Sequence, residues 1–514
     1  YWTNNALLFY TEHTVGYHGS VREPFHKYTM EQRALKESYA WEAGRRSKMI
    51  GEEALGLLQS HIEREKDPSL VVFNSLNWER SGLLTAYIDH QLVPRYQEFN
   101  LVDEKGNKAK AQAVETHSDG TYWSIWVDKV PAFGYKKYLI LQGETEQEKS
   151  EEVSEIPELE NQWYTIKIDA EHAAISSLFD KDLNQELVDQ DASWKLGEFI
   201  YETLGNRSQM EAFYLDDYQR EPLDSAWFER YEEGDIWNTV YFKGNSKAAI
   251  NDRAYEFEIR LFNTTKRIDI AYSIQKKLVT DPEGIYIAFP FLLDGGVLSF
   301  DVQGGEIRAG IDQIPGSSND WNVVQNYARI QNEKGQILLS SPEIPMMQFG
   351  AINTGRYKAG ATPESTHIYG WPMNNYWTTN FNPEQHGGIS WVYNISSSSN
   401  QSQTEATRFG WGNRVPFLAR AFTGGGKGDE SWQKSIIQGW PENVILVSST
   451  PDKNGSSCIL HIREIEGKNA DLKSLKLANN RPLMIRQANV LGEEIVQGSV
   501  QLKPFETKFI KLDW

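Results

Sequence analysis

Past Pro68 the sequence carries strand periodicity almost without a break, and this restricts the chain to mainly β architectures. Residues 70–74, 83–88, 122–127 and 135–141 are rich in β-branched and aromatic residues, with turn residues between them. The pattern resumes at 163–168 and 175–179 and continues to about Tyr393, a density that predicts a large antiparallel sandwich. A last β unit is expected over 444–512. At 514 residues, three to five domains are expected.

The one stretch that reads as a long helix covers 28–65. Thr29 and Gln32 are spaced as a capping box at its start, and Pro68 follows its end. Ala40, Gly44, Ser47, Gly51, Ala54 and Leu58 fall at alternating steps of four and three, and such a small-residue stripe lets another helix approach closely. Residues 1–27 look too short to be that partner. The expectation is therefore that the stripe meets helices upstream or in another chain, and the Tyr1-Trp2-Thr3 opening is read as a processed or trimmed start. The resulting map is a helical segment at 1–66, a small β-sandwich at 67–143, a Glu-rich linker at 144–160, a large sandwich at 161–430 and a C-terminal β domain at 431–514.

A net charge of −19 repels phosphate backbones and argues against nucleic acid and anionic membranes as partners. The longest apolar run, 285–293, is interrupted by Pro290 and falls short of the roughly 20 residues a membrane helix needs. With Cys458 as the single cysteine, neither an internal disulfide nor a Cys-based zinc site can form.

Three segments are candidates for chemistry. Residues 9–20 hold Glu12, His13 and His18 among glycines; imidazole and carboxylate suit zinc, although surface or structural roles fit the same spacing. Residues 369–381 interleave Asn374, Asn375 and Asn380 with Trp371, Tyr376 and Trp377. That mixture suits a sugar's apolar C–H face and its hydroxyls, or equally a sandwich core with Asn-rich turns. Residues 311–321 place Asp312 and Gln313 beside a Pro-Gly turn and Trp321, where hydroxyl binding and ordinary loop chemistry are both open. No acid and nucleophile pair can be chosen among the carboxylates, because their separation is a property of the fold.

In order, these segments resemble the downstream half of glycoside hydrolase family 38, the retaining α-mannosidases. The matching stretches are Glu12-His13-Thr14, the long helix, 72–78, 131–135, 175–180, 288–291, 373–377 and 502–507. The resemblance covers essentially the whole chain. It implies a β/α catalytic domain upstream, with the nucleophile there and not in this chain, followed by a helical bundle and sandwiches that include a galactose-mutarotase-like supersandwich.

It also implies one divalent metal, zinc, with His13 as a ligand completed by upstream residues, and Asp312, Gln313, Asn374, Asn375 and Trp377 on the substrate side. The implied partners are an α-mannoside or glycan and the upstream domain, a homo-oligomer being compatible, in a periplasmic, extracellular or lumenal setting. Val15 stands where related sequences often carry Trp, and 171–174 lacks the glycines usual in that hairpin. The rival expectation is a non-catalytic carbohydrate-binding or scaffolding module.

Overall fold

The computed structural model describes residues 2–12, 14–143, 156–318, 320–356, 362–452, 455, 457–479, 483–497 and 500–513. It is mainly β, and every ladder between its strands is antiparallel. No helix among the described residues is long and apolar enough to cross a membrane.

Two helices open the chain, α1 (Trp2–Thr11) and α2 (Lys27–Leu58). The helix α1 is a short partner for α2 that the sequence does not announce, but it leaves the small-residue stripe open at Gly44 and Gly51. A ten-residue helix is marginal alone, but this one lies antiparallel on α2. Phe9 stacks on Tyr39 at 5.6 Å, and Arg46 covers Trp2 at 5.9 Å. The cap also differs from expectation: His26 is the N-cap and accepts from the Tyr28 N–H, while the Thr29 hydroxyl turns back to Glu23 O at 2.9 Å. The helix stops before 65 because Ile62 and Arg64 take extended backbone and bridge to Asp429 and Gly426.

The first sandwich packs the strands Ser69–Asn74, Gly134–Gln142, Phe99–Val102 and Lys108–Ala109 against a sheet of Arg80–Asp89, Gly120–Val130 and Ala111–Thr116. Its buried core includes Leu70, Val72, Ile88, Ile125, Val127 and Ile140. Leu418–Phe422 and Gln433–Ser435 return to this sandwich, with Leu70 opposite Ala421 and Val72 opposite Ala419. The large sandwich therefore does not run to 430; its last strand is Gly387–Ser398. Of the expected linker, 144–155 lie outside the described residues, and Leu159–Glu160 is already a strand paired with Tyr164–Asp169.

A nine-stranded and a six-stranded sheet form the large sandwich around one extensive core. Glu283–Phe289, which holds most of the apolar run, is buried at every position, as expected for a strand covered on both faces. The C-terminal unit is a five-stranded sheet from Val444–Pro451 to Thr507–Asp513.

The segment 72–78 joins these units. The Asn74 amide donates to Trp78 O, Val130 O and Pro131 O, and its Oδ1 accepts from Leu76 N and Arg80 Nε. Arg80 continues to Gly412 O and Val415 O, its guanidinium 4.0 Å from the Phe417 ring centroid. Asn77 donates to Val444 O and accepts from Leu446 N, which pins the C-terminal sheet to the same corner.

Candidate functional site

The first two sequence candidates meet in space. Past α1 the chain runs along the loop that follows Ile368–Asn374, so that Ser20 Oγ donates to Phe381 O at 2.7 Å and Thr379 Oγ1 to His18 O at 3.0 Å. A Cβ on Gly16 would stand 2.5 Å from Asn380 O, so only glycine permits this approach. Lys36 holds the end of α1 on α2 by donating to Phe9 O and Glu12 O. His13, the expected metal ligand, lies outside the described residues. Neighbouring Glu12 is half exposed, 3.8 Å from Lys36 Nζ. Among the described residues no three His, Cys, Asp or Glu side chains gather into a metal-binding group, so these alone supply no donor set for zinc.

One ion pair clamps the helices to the large sandwich. Arg33 of α2 bonds Glu384, whose side chain is 3 % exposed, and also pairs with Glu37 at 2.8 Å; His386 approaches the other Glu384 oxygen. Burial opposes ionisation of Glu384, but hydrogen bonds from His386 and Arg33 outweigh it and hold the carboxyl below its usual range.

The amides expected on the substrate side divide by role. Asn375 is 1 % exposed and fully used: Nδ2 donates to Pro383 O at 2.6 Å, Asp281 O at 2.9 Å and Val279 O at 3.3 Å, while Oδ1 accepts from Glu283 N at 2.6 Å. It folds the loop and has nothing left for a ligand. Asn374 is half-buried, and its Oδ1 is enclosed without a partner. Trp377 is 36 % exposed and stands in an aromatic row, 6.4 Å from Trp321 and 5.6 Å from Phe381 between ring centroids. Trp321 in turn contacts Trp371, which stacks on Tyr286.

Beneath the row lies Glu202, 0 % exposed, which accepts from Tyr376 OH at 2.6 Å and Tyr286 OH at 3.3 Å and pairs with Arg220. This hydrogen-bonded floor stiffens the loop that carries Trp377.

The third candidate splits as well. Asp312 turns to Arg308 in a bidentate pair at 2.7 and 2.9 Å, and these hydrogen bonds lower its carboxyl pKa to about 2. Gln313 instead lines a pocket with Asp320 and Asn322. Sequence reasoning singled out neither Asn322, Arg33 nor Glu384; the last two become a pair only through a contact across 351 residues.

The arrangement is a mainly β, multi-sandwich body with an aromatic and amide-bearing loop held against a helical hairpin. Residues 159–357 match the family model described as the glycosyl hydrolases family 38 C-terminal domain. The crystal structure of an α-mannosidase from Enterococcus faecalis V583 superposes with a TM-score of 0.71 at 12% identity, over 94% of this chain and 60% of that one. A protein in glycosyl hydrolase family 38 from Enterococcus faecalis gives 0.66 at 12% identity, over 94% and 62%.

At such identity the likeness is one of fold, and the chain spans about 60% of the length of these solved structures. A galactose mutarotase-like protein from Lactobacillus casei ATCC 334 aligns over 47% of this chain and 99% of its own, at 13% identity and a TM-score of 0.29. No curated protein matches the chain in sequence.

Proposed function

We propose that this chain is the helical and β-sandwich portion of an α-mannosidase-like retaining glycoside hydrolase that acts on the α-mannosides of glycans, and that it is inactive by itself. The observation that carries the reading is the exposure of large apolar side chains along the helical hairpin. Trp41 is 78% exposed, Leu57 73% and Leu8 68%, and a Cβ on Gly44 or Gly51 would meet nothing within 4 Å. Large apolar side chains left in the open on both helices fit a hairpin that a further domain covers. The segment after α1 and Arg33 of α2 hold the hairpin to the loop that bears Trp377, so a catalytic domain seated on the hairpin would stand beside the aromatic row.

In this reading His13 supplies one ligand of a divalent metal, zinc, whose other ligands and the nucleophile belong to the covering domain. The metal, when bound, would hold vicinal sugar hydroxyls and polarise them. This chain's own part is positional: Gly16 and Ser20 fix the segment beside His13 on the loop, Arg33 locks the helix to it, and Trp377 offers a ring face to a sugar C–H face.

The test compares metal content and aryl α-mannoside hydrolysis in this chain and in a protein extended upstream, each with its His13→Ala variant. The expected result is turnover and about one bound ion in the extended protein only, both lost in His13→Ala. Hydrolysis by the present chain, or an inert extended protein that still binds glycan, overturns the proposal; the second outcome favours a carbohydrate-binding module.

A further inference from the structure

The edge of the first sandwich carries a run in which polar residues alternate with alanine, Lys108-Ala109-Lys110-Ala111-Gln112-Ala113. Within it the chain crosses from one sheet to the other, since Lys108–Ala109 pairs with Phe99–Val102 and Ala111–Thr116 with Gly120–Val130. Residues directly opposite each other in a ladder share a face. Ala109 lies opposite Leu101, Ala111 opposite Ile125 and Ala113 opposite Trp123, so the three alanines look between the sheets.

A sandwich interior normally fills to the density of an organic crystal. At this edge the side chains are too small to do so, and a cavity of about 750 Å³ is left between residues 90–123, with Asp235 of the large sandwich at its rim. Such a volume suits one small ligand. Val93, Phe99 and Leu101 are buried in its wall, and the half-buried Trp123 ring meets Phe99 edge-on at 4.8 Å. Exposure rises from half-buried Ala109 and Ala111 to exposed Ala113, which marks the mouth.

The chemistry of the wall selects the ligand. Thr121 is its one buried polar side chain, and that hydroxyl is already used, donating to Thr116 Oγ1 at 3.3 Å with His90 Nε2 3.1 Å away. Sugar hydroxyls pushed between the sheets would lose water and find no partner, whereas an apolar body carries no such cost. At the rim three cations, Arg95, Lys108 and Lys110, stand with two carboxylates, Glu98 and Asp235. Lys110 Nζ donates to Asp235 O at 3.1 Å, and the Arg95 guanidinium lies 5.0 Å from the Tyr96 ring centroid. Among the described residues neither Arg95 nor Lys108 pairs with a carboxylate. Two unpaired cations at the mouth of an apolar cleft, in a chain of net charge −19, favour an anionic head group.

We propose that this cleft binds one amphipathic carboxylate, its acyl chain held between the sheets and its head group on Arg95 and Lys108. The cleft belongs to a different sandwich from the loop that bears Trp377, and the proposal does not rest on the catalytic reading.

Calorimetric titration of the present chain with decanoate and with decyltrimethylammonium, both below micelle formation, tests it. Decanoate is expected to bind with a stoichiometry of about one, and the cationic head on the same chain length to bind at least roughly tenfold more weakly. The double variant Arg95→Gln, Lys108→Gln changes two exposed side chains and should weaken decanoate by a similar factor. Ala113→Trp fills the cleft from its exposed mouth, at an edge-strand position where an aromatic residue is well tolerated, and should abolish decanoate binding while the unfolding midpoint is kept.

Absence of decanoate binding overturns the proposal. Equal binding of the two head groups overturns it as well, because Arg95 and Lys108 then select nothing. Decanoate binding that survives Ala113→Trp also overturns it, since the chain then lies on the exposed apolar side chains of the helical hairpin or elsewhere outside the cleft.

Discussion

Asn375 and Trp377 are two residues apart and look alike as sugar contacts in the sequence, yet the structure gives them opposite work. All four Asn375 bonds go to backbone, so Asn375→Ala should strand several buried groups and cost about 3 kcal/mol of stability, read as a lower denaturant midpoint. Trp377→Ala removes a ring at the surface and should change stability by less than about 1 kcal/mol, while weakening any glycan bound at the loop. If equilibrium unfolding showed Trp377→Ala to be the more damaging of the two, the division of roles would be wrong. Composition could not separate them, because an amide's partners here are carbonyls as many as 96 residues away.

At the scale of elements, legibility followed the range of the interactions. The strands and the long helix were visible because their periods are local, and α1 was not, since ten residues gain a helix only by lying on α2. The helix Gln403–Arg414 was missed behind its serine-rich lead, although Ser402 and Glu405 have capping-box spacing and Ser402 Oγ does accept from Glu405 N. The same spacing misled at Thr29 and Gln32, where His26 caps instead. The site was legible as segments and illegible as a clamp.

That clamp yields a prediction. Arg33→Met leaves the buried Glu384 carboxylate with His386 alone and should cost about 2 kcal/mol, less than a fully buried broken pair because Arg33 is partly exposed. The carboxyl pKa is depressed in the folded state, so its stabilising contribution is present above the unfolded value and lost as pH falls through the folded one. Unfolding curves at several pH values should therefore show a shallower acid loss in Arg33→Met than in the parent protein.

At the scale of the whole molecule, the units are joined by apolar clusters, Trp126 with Trp237 and Phe262 and Trp78 with Ile445 and Ile465, and by polar contacts, one of which is expected to respond to pH. Asp301, at the edge of the large sandwich, is 1 % exposed; it accepts from Asn326 Nδ2 at 2.5 Å and lies 3.7 Å from Arg463 of the C-terminal sheet. Burial dominates over both partners and pushes its carboxyl up to about 6 from the ordinary 3.8. The folded protein thus holds this proton more tightly than the unfolded chain does. The corresponding stability is fully present below the unfolded pKa and is lost as pH rises through the folded one. A shift of this size amounts to about 3 kcal/mol, since each pKa unit is about 1.4 kcal/mol.

Asp301→Asn removes the titration and leaves Arg463 without a counter-ion at every pH, an offset that is constant and cancels in a pH series. The unfolding free energy of the parent minus that of Asp301→Asn should therefore fall by about 3 kcal/mol between roughly pH 4 and pH 7. A difference that stays level across that range would show that Arg463 and Asn326 compensate the buried charge, and that the junction between the two sheets is indifferent to pH.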